Sequence, residues 1–331
     1  MTDIITLPVD AIVDTPGAYR LPMERYHAVD LCAGVSVSSS HLRTVTTKSP
    51  HAFWKTWDGN PNRYPAKEDG EGLILGRAAH CLILGDEVYE EQFITVPDDA
   101  PRRPDSRQIA AFERTGQWSD AARPGALFWE DFDARAAGRT LVTADQVQKI
   151  VYMAENLAAS PEAKTALTSS LTEISLIWQD EKTGLWVKSR PDCIPDNGYD
   201  FGDLKTFAPK GNDLSIAAQR AVTDHGYAQQ MALAMEGAER VFGVGGDRCM
   251  LVFVQTSEPY EVVPILLEPE ALYWARVLNR KALDQIAEGI LTGNWPMRVT
   301  HPVRYEYPPS MLHQFGEMQA RGELPSMERW T

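Results

Sequence analysis

From residue 171 the chain alternates between apolar and polar positions. LTEISLIWQD (171–180) and GLWVKSRPDCI (184–194) flank the turn DEKTG, and a third run, YDFGDLKTF (199–207), follows about ten residues after Asp192. Period-two alternation with short connections predicts an antiparallel meander of three strands. The period then changes to that of a helix over 215–242. Two more strands follow, RCMLVFVQT and YEVVPILLE, and a long helix over 269–295 with Pro269 near its first position. Upstream, helical spacing covers 36–57, opened by serines, with Leu42, Val45 and Trp54 as its apolar marks. A second, apolar helix covers 71–85 and ends at Gly85. A third covers 143–160, with Thr143 as N-cap and Pro161 beyond its end. Residues 58–70 and the polar, Pro- and Arg-rich stretch 94–125 read as loops. The order helix, meander, helix, two strands, helix, all feeding one sheet, predicts a single α/β core: a mixed central sheet flanked by helices. The expected boundaries are an arm over 1–25, a domain over 26–300 whose part 26–165 is a helical N-terminal elaboration, and an irregular tail over 301–331.

Composition narrows the class. The 331 residues are 44% hydrophobic with nine Trp, enough for a large core, and no run of about 18 apolar residues offers a membrane span. The N-terminus lacks a basic segment followed by an apolar one, so no signal peptide is expected. Cys32, Cys81, Cys193 and Cys249 are scattered without a CxxC pair, which suits a reducing cytoplasm and argues against zinc or a disulfide framework. The net charge of −14 by itself argues against a nucleic-acid binder. That objection is weak for an enzyme that gathers carboxylates around metal ions and keeps its cations in one groove.

The candidate chemistry lies in the second and third runs. Residues i and i+2 of a strand share a face, so Asp203 and Lys205 look into one space with the Leu204 carbonyl between them. If the runs pair, Asp192 comes alongside. Two carboxylates, a carbonyl and an ammonium describe a site for a hard divalent cation beside a phosphate. The plainer alternative is surface aspartates and a salt bridge. Against it, Asp203 lies in a core-like strand, where an unpaired carboxylate is costly. Glu173, expected on one face with Ser175, Ile177 and Gln179, is either a half-exposed strand carboxylate or a fourth member of the site. His80 on the apolar helix is either a core histidine or a metal ligand, with Gly76 one turn before it and Arg77 on the same side. Tyr227 and Gln230, at i and i+3, share a helix face. Lys188 and Arg190 share the face of Asp192 by alternation, as an exposed edge or as phosphate contacts.

These residues form a compound pattern. GRAAH, TEISLIWQDEKTGLWVKSRPD, DLKT and YAQQMA, in that order, resemble the PD-(D/E)XK nuclease domain of the RecE type, the exonuclease VIII-like phage recombination exonucleases. The opening YHAVDLCAGVSVSSSHLRTVTTKSPHAFWKTW is similar too, so the likeness covers roughly residues 26–245. It implies a restriction-endonuclease-like fold and a Mg²⁺-dependent DNA exonuclease, with Mn²⁺ as substitute. His80, Asp192, Asp203 and the Leu204 carbonyl would hold metal, and Glu173 would order water or a second ion. Lys205 and Gln230 would be catalytic. Arg77, Lys188, Arg190 and Tyr227 would contact DNA, with Arg102, Arg103 and Arg107 further out. Digestion of linear duplex ends 5′ to 3′, a ring-shaped homo-oligomer and a single-strand annealing partner are implied by the resemblance alone. A non-catalytic DNA-binding module, or an endonuclease or single-strand nuclease on this fold, are the alternatives. The chain departs from the pattern at His225 and at Met231–Ala234, where substrate contacts are concerned. The iron–sulfur relatives of this fold have three closely spaced C-terminal cysteines; only Cys249 follows Cys193 here, so no cluster is expected.

Overall fold

The run Asp200–Phe207 and its parallel neighbour Arg248–Gln255 form the centre of the molecule, and both are covered on two faces. The structure is a computed structural model that describes residues 3–8, 10–65, 70–85, 89–168, 171–194, 200–243, 245–246 and 248–327. In chain order its elements are β1 (Ile4–Thr6), β2 (Gly17–Arg20), α1 (Met23–His27), β3 (Ser36–Ser38), α2 (Ser39–Thr47), α3 (Pro50–Thr56), α4 (Glu71–Leu84), α5 (Tyr89–Gln92), β4 (Phe93–Val96), α6 (Ser106–Thr115), α7 (Arg123–Ala136), β5 (Thr140–Thr143), α8 (Ala144–Ala159) and α9 (Pro161–Leu167). There follow β6 (Leu171–Thr172), β7 (Ser175–Gln179), β8 (Trp186–Ser189), β9 (Cys193–Ile194), β10 (Asp200–Phe207), α10 (Leu214–His225), α11 (Tyr227–Phe242), β11 (Arg248–Gln255), β12 (Val262–Leu267), α12 (Pro269–Thr292) and α13 (Pro309–Ala320).

The expected single sheet is two five-stranded sheets, ordered β1-β2-β7-β8-β3 and β12-β11-β10-β9-β6, with β4 and β5 as a separate parallel pair. One hairpin joins them. Its arms are β6 continued by β7 and β8 continued by β9, and the pairing register is the same in both halves, Thr172 opposite Cys193 and Leu176 opposite Ser189. The meander is therefore present but bent. The bend is at Glu173, whose φ of +54° is left-handed, a conformation that costs a non-glycine residue roughly 1–2 kcal/mol. It also interrupts the alternation that put Glu173 on one face with Ser175. The turn between the Asp192 and Asp203 runs falls mostly at 195–199, outside the described residues.

The layers follow from alternation. On β10 and β11, Phe201, Leu251 and Phe253 pack with α11, α12 and α2, while Leu204, Val252 and Val254 pack with α4, α8 and α9. Strands sandwiched in this way read as continuous apolar runs, as CMLVFV does. Asp203 and Lys205 consequently face α11, and Thr206 faces α4. The expected arm instead supplies β1 and β2 to the first sheet, β2 pairing with β7. The segment from Val13 to Cys32 covers that sheet with Tyr19, Leu21, Tyr26 and Leu31 against Ile177 and Trp186.

Four helical expectations change. The run 36–57 opens as the strand β3 and continues as two helices, α2 and α3, because the Ser49 side chain caps a new helix that Pro50 starts. The stretch 94–125 contains α6, capped by the Asp105 carboxylate on the Arg107 and Gln108 amides, and the start of α7. The tail contains α13, which buries no residue. The helix over 215–242 is broken at Gly226, whose φ of +65° ends α10 and starts α11. No helix among the described residues is long and apolar enough to cross a membrane.

Candidate active site

The bend of the hairpin opposes Glu173 to Asp192, and the Glu173 amide donates to the Asp192 carbonyl at 3.1 Å. Arg190 holds the Glu173 side chain from the other arm. Its Nε donates to Glu173 Oε2 at 2.7 Å and its Nη1 to the Leu21 carbonyl at 2.9 Å. Both side chains of this pair are buried. Its attraction offsets the strained backbone, and breaking such a pair from one side costs about 3–5 kcal/mol.

Asp192 reaches the next strand. Its Oδ2 accepts the Leu204 amide at 2.6 Å and lies 3.5 Å from His80 Nδ1. A residue's N–H and C=O leave a strand on the same side, so the Leu204 carbonyl is directed toward the Asp192 arm as well. His80 arrives because α4 lies against β10. A Cβ on Gly76 would sit 2.9 Å from Thr206 Oγ1, so glycine there sets the approach, and His80 follows one turn later. One ligand atom each from His80, Glu173 and Asp192 lies within 4.8 Å of the others.

Asp203 is fully buried. Its Oδ1 accepts the Gln230 amide at 3.0 Å, and its Oδ2 is ion-paired with the Lys205 ammonium. Burial first, and then the Asp192 charge, raise the Asp203 carboxyl to about 6, against the pull of Lys205 and His80. Burial works against the Lys205 ammonium, but Asp203 and Asp192 together hold it above its ordinary value. The ammonium also sits 4.9 Å from the Tyr227 ring centroid. Tyr227 and Gln230 reach this face because the Gly226 break re-aims the first turn of α11.

His80, Glu173, Asp192, Lys205, Tyr227 and Gln230 line a cleft of about 550 Å³, with Arg77, Arg190 and Arg43 on its walls. Arg43 is a residue that sequence reasoning missed. It donates to the His225 carbonyl at 2.9 Å across the helix break, and its guanidinium lies 5.6 Å from the Tyr227 centroid. Nothing local in the serine-capped helix α2 marks it, because its cleft-side partner His225 lies 182 residues further along the chain.

The structure brings together His80, Glu173, Asp192, Asp203, Lys205, Tyr227, Gln230, Arg77 and Arg190. It does not bring Lys188. That ammonium is turned to the carbonyls of Tyr26 and Ala28 and does not line the cleft. Arg103 is likewise engaged, in a two-pronged pair with Asp133 at 2.7 and 2.9 Å and over the Trp129 ring. Asp203, expected among the metal ligands, stands beside the His80–Glu173–Asp192 group with its carboxylate on Lys205. The donor set of two carboxylates, an imidazole, a carbonyl and the buried Asp203 is chemically suited to a hard divalent cation.

A buried Asp-x-Lys on a central strand, an Asp from the adjoining hairpin and a helix packed over both define an α/β fold of the PD-(D/E)XK nuclease class. The chain belongs to the family described as PDDEXK-like domain of unknown function (DUF3799), which matches residues 38–302. Among solved structures, it is similar to a protein from Eubacterium rectale provisionally assigned as an exonuclease, with a TM-score of 0.53 at 12% identity, over 89% of this chain and 98% of that one. A phage-related exonuclease from Haemophilus somnus 129PT matches over 58% of this chain and 91% of its own at 15% identity; its TM-score of 0.28 is too low to bear on the fold. No curated protein matches the chain by sequence. The motif-based resemblance to PD-(D/E)XK nucleases and the expected mixed α/β architecture are thus borne out.

Proposed function

We propose that the protein is a Mg²⁺-dependent DNA exonuclease, active with Mn²⁺ as well, that digests linear duplex DNA from its ends. The observation that carries this reading is the cluster at the bend. Asp192, Glu173 and His80 gather beside the buried Asp203–Lys205 pair, where carboxylates would otherwise be penalised for being together. His80, Asp192 and Glu173 would hold the ion, with Asp203 and the Leu204 carbonyl adjoining. A bound divalent cation would polarise a phosphodiester and acidify a water. The chain's own side chains do the rest. Lys205 positions the attacking water and neutralises charge that develops on the phosphate. Gln230 fixes the rotamer of Asp203, and Arg190 fixes that of Glu173. Tyr227, Arg43 and Arg77 face the cleft as contacts for the DNA backbone or a base.

The direction 5′ to 3′, the 3′ single strands left for an annealing protein, a ring-shaped homo-oligomer and a cytoplasmic setting complete the proposal; each is supported by the family resemblance. The test is an end-labelled linear duplex and a covalently closed circle of the same sequence, each incubated with Mg²⁺ or EDTA. Linear DNA is expected to shorten from its ends only with Mg²⁺, while circles survive. Equal cleavage of both substrates would point to an endonuclease on this fold. No cleavage of either would point to a binding module.

A further inference from the structure

The Tyr26 ring has two cations near it. The Arg190 guanidinium lies 6.0 Å from its centroid and the Lys188 ammonium 5.2 Å. Arg190 lines the cleft; Lys188 lines a separate cavity of about 260 Å³, walled also by His27, Ser36, His41 and Trp57. Lys188 is 3% exposed. It donates to the Tyr26 carbonyl at 2.5 Å and stands 3.5 Å from that of Ala28. It has no ion-pair partner among the described residues. The charged or ionisable groups that interact with it are the Cys32 thiol, the Arg25 guanidinium and the imidazoles of His27 and His41, none of them a carboxylate. Burial lowers the ammonium to about 8, so it stays mostly charged at neutral pH. Asp58 is on the cavity wall, but it is ion-paired with Arg63.

A buried ammonium without a counter-ion is costly, and carbonyl dipoles and an aromatic face offset only part of that cost. The other polar groups add donors and no negative charge. His41 Nδ1 accepts the Ser38 amide at 3.1 Å, which leaves the proton of the neutral ring on Nε2. Burial, Lys188 and His27 push this imidazole down to about 3. Burial and the charges of Lys188, Arg190 and Arg77 lower His27 as well. The local field is positive in a chain whose net charge is −14.

We infer that this cavity is a phosphate-binding site, with Lys188 as its charge partner and His41 and Ser36 as neutral donors. Its volume lies just below the roughly 300 Å³ at which pockets begin to enclose a drug-sized ligand. It has room for a phosphate group with little of what the group is attached to. The ligand is therefore free phosphate or the phosphorylated end of a chain. The inference stands apart from the nuclease reading, since it uses no residue of the metal cluster.

The test is thermal denaturation of the full chain in EDTA, with inorganic phosphate against chloride at equal ionic strength. Phosphate in large excess over its Kd is expected to raise the wild-type midpoint by several degrees. Lys205→Met, which removes a cation of the cleft, is expected to keep that shift, and Lys188→Met to lose it. Val29→Glu also loses it: Val29 is 49% exposed on the same cavity, and a carboxylate there supplies the missing counter-ion without altering Lys188. That variant decides the matter if Lys188→Met does not fold. A 5′-phosphorylated oligonucleotide that shifts the midpoint where its 5′-hydroxyl counterpart does not identifies a chain end as the source. A shift with inorganic phosphate alone identifies the free ion. No shift with either ligand, a shift undiminished in Lys188→Met and Val29→Glu, or one lost in Lys205→Met would overturn the assignment.

Discussion

Arg190 and Lys188 stand two residues apart on one arm of the hairpin, yet they serve two different kinds of site. Arg190 meets a carboxylate, Glu173, and belongs to a cleft that Asp192 also lines, with the buried Asp203 paired to Lys205 beside it. Lys188 meets two carbonyls and the Tyr26 ring, and belongs to a cavity without a free carboxylate among its described walls. Burial is similar; what each cation is paired with is different. The immediate partners, more than the residue type, indicate the ligand: clustered carboxylate and imidazole atoms suit a cation in the cleft, and an ammonium held by neutral groups suits an anion in the cavity.

Removing a carboxylate from the metal cluster or from the Asp203–Lys205 pair is expected to have the greatest consequence. Asp192→Ala or Asp203→Ala is expected to reduce Mg²⁺-dependent cleavage of linear DNA by about 10³-fold or more, since several kcal/mol of transition-state stabilisation are lost with the ion. Circular dichroism should show the fold retained, and wild-type cleavage in either variant would remove the assignment. Next in size is Lys205→Met. It is expected to slow cleavage by about 10²-fold while Mn²⁺ binding, measured by calorimetry, persists, because an ammonium beside the ion does not ligate it. Large loss of Mn²⁺ affinity with unchanged turnover at saturating metal would contradict this role.

The cavity side is sharpened by pH. His41 is neutral in the fold at about 3, against 6.5 for the free side chain. Its contribution is fully present above pH 6.5 and is lost as pH falls, because the unfolded chain takes up the proton first. The loss is about 1.4 kcal/mol per pH unit until the folded value is reached. Urea midpoints between pH 7 and 5 should therefore fall less steeply for His41→Gln than for the wild type. Parallel slopes would mean that the ring is not held neutral. The smallest effect is expected at Gly76→Ala. The added methyl meets Thr206 Oγ1, displaces α4 and costs about 1–3 kcal/mol, with weaker Mn²⁺ binding through His80. Thr206→Ala in the same chain should restore both, measured by denaturation and calorimetry.

Much of the cleft was legible because its residues lie where local periodicity is strong. Asp203 and Lys205 share a face by simple alternation, and the helix that carries His80 has an apolar stripe ending at Gly85. What stayed hidden depends on contacts far along the chain. A left-handed Glu173 has no local signature, so the split into two sheets was not foreseen. The strands at 4–6 and 17–20 are too short to announce themselves, and they turn an expected arm into part of a sheet. Alternation placed Lys188 on the right face but could not say that residues 13–32 cover it. The break at Gly226 did have a signal, a glycine inside a long helical run, and it decides where Tyr227 and Gln230 point.

The unbroken register through the bend limits how this chain can change length. Because Thr172 pairs with Cys193 and Leu176 with Ser189 in one register, a single inserted residue between 172 and 176, or between 189 and 193, would move Glu173 out of line with Asp192 and turn one arm over. The far end of the hairpin is pinned as well, since Asp180 binds Arg280 at 2.6 Å and the Thr183 amide at 3.0 Å. Descendants of this sequence are thus free to exchange side chains along 171–194 but not to add or drop residues there. Natural insertions and deletions should accumulate elsewhere, with this hairpin as a gap-free ruler for aligning distant kin.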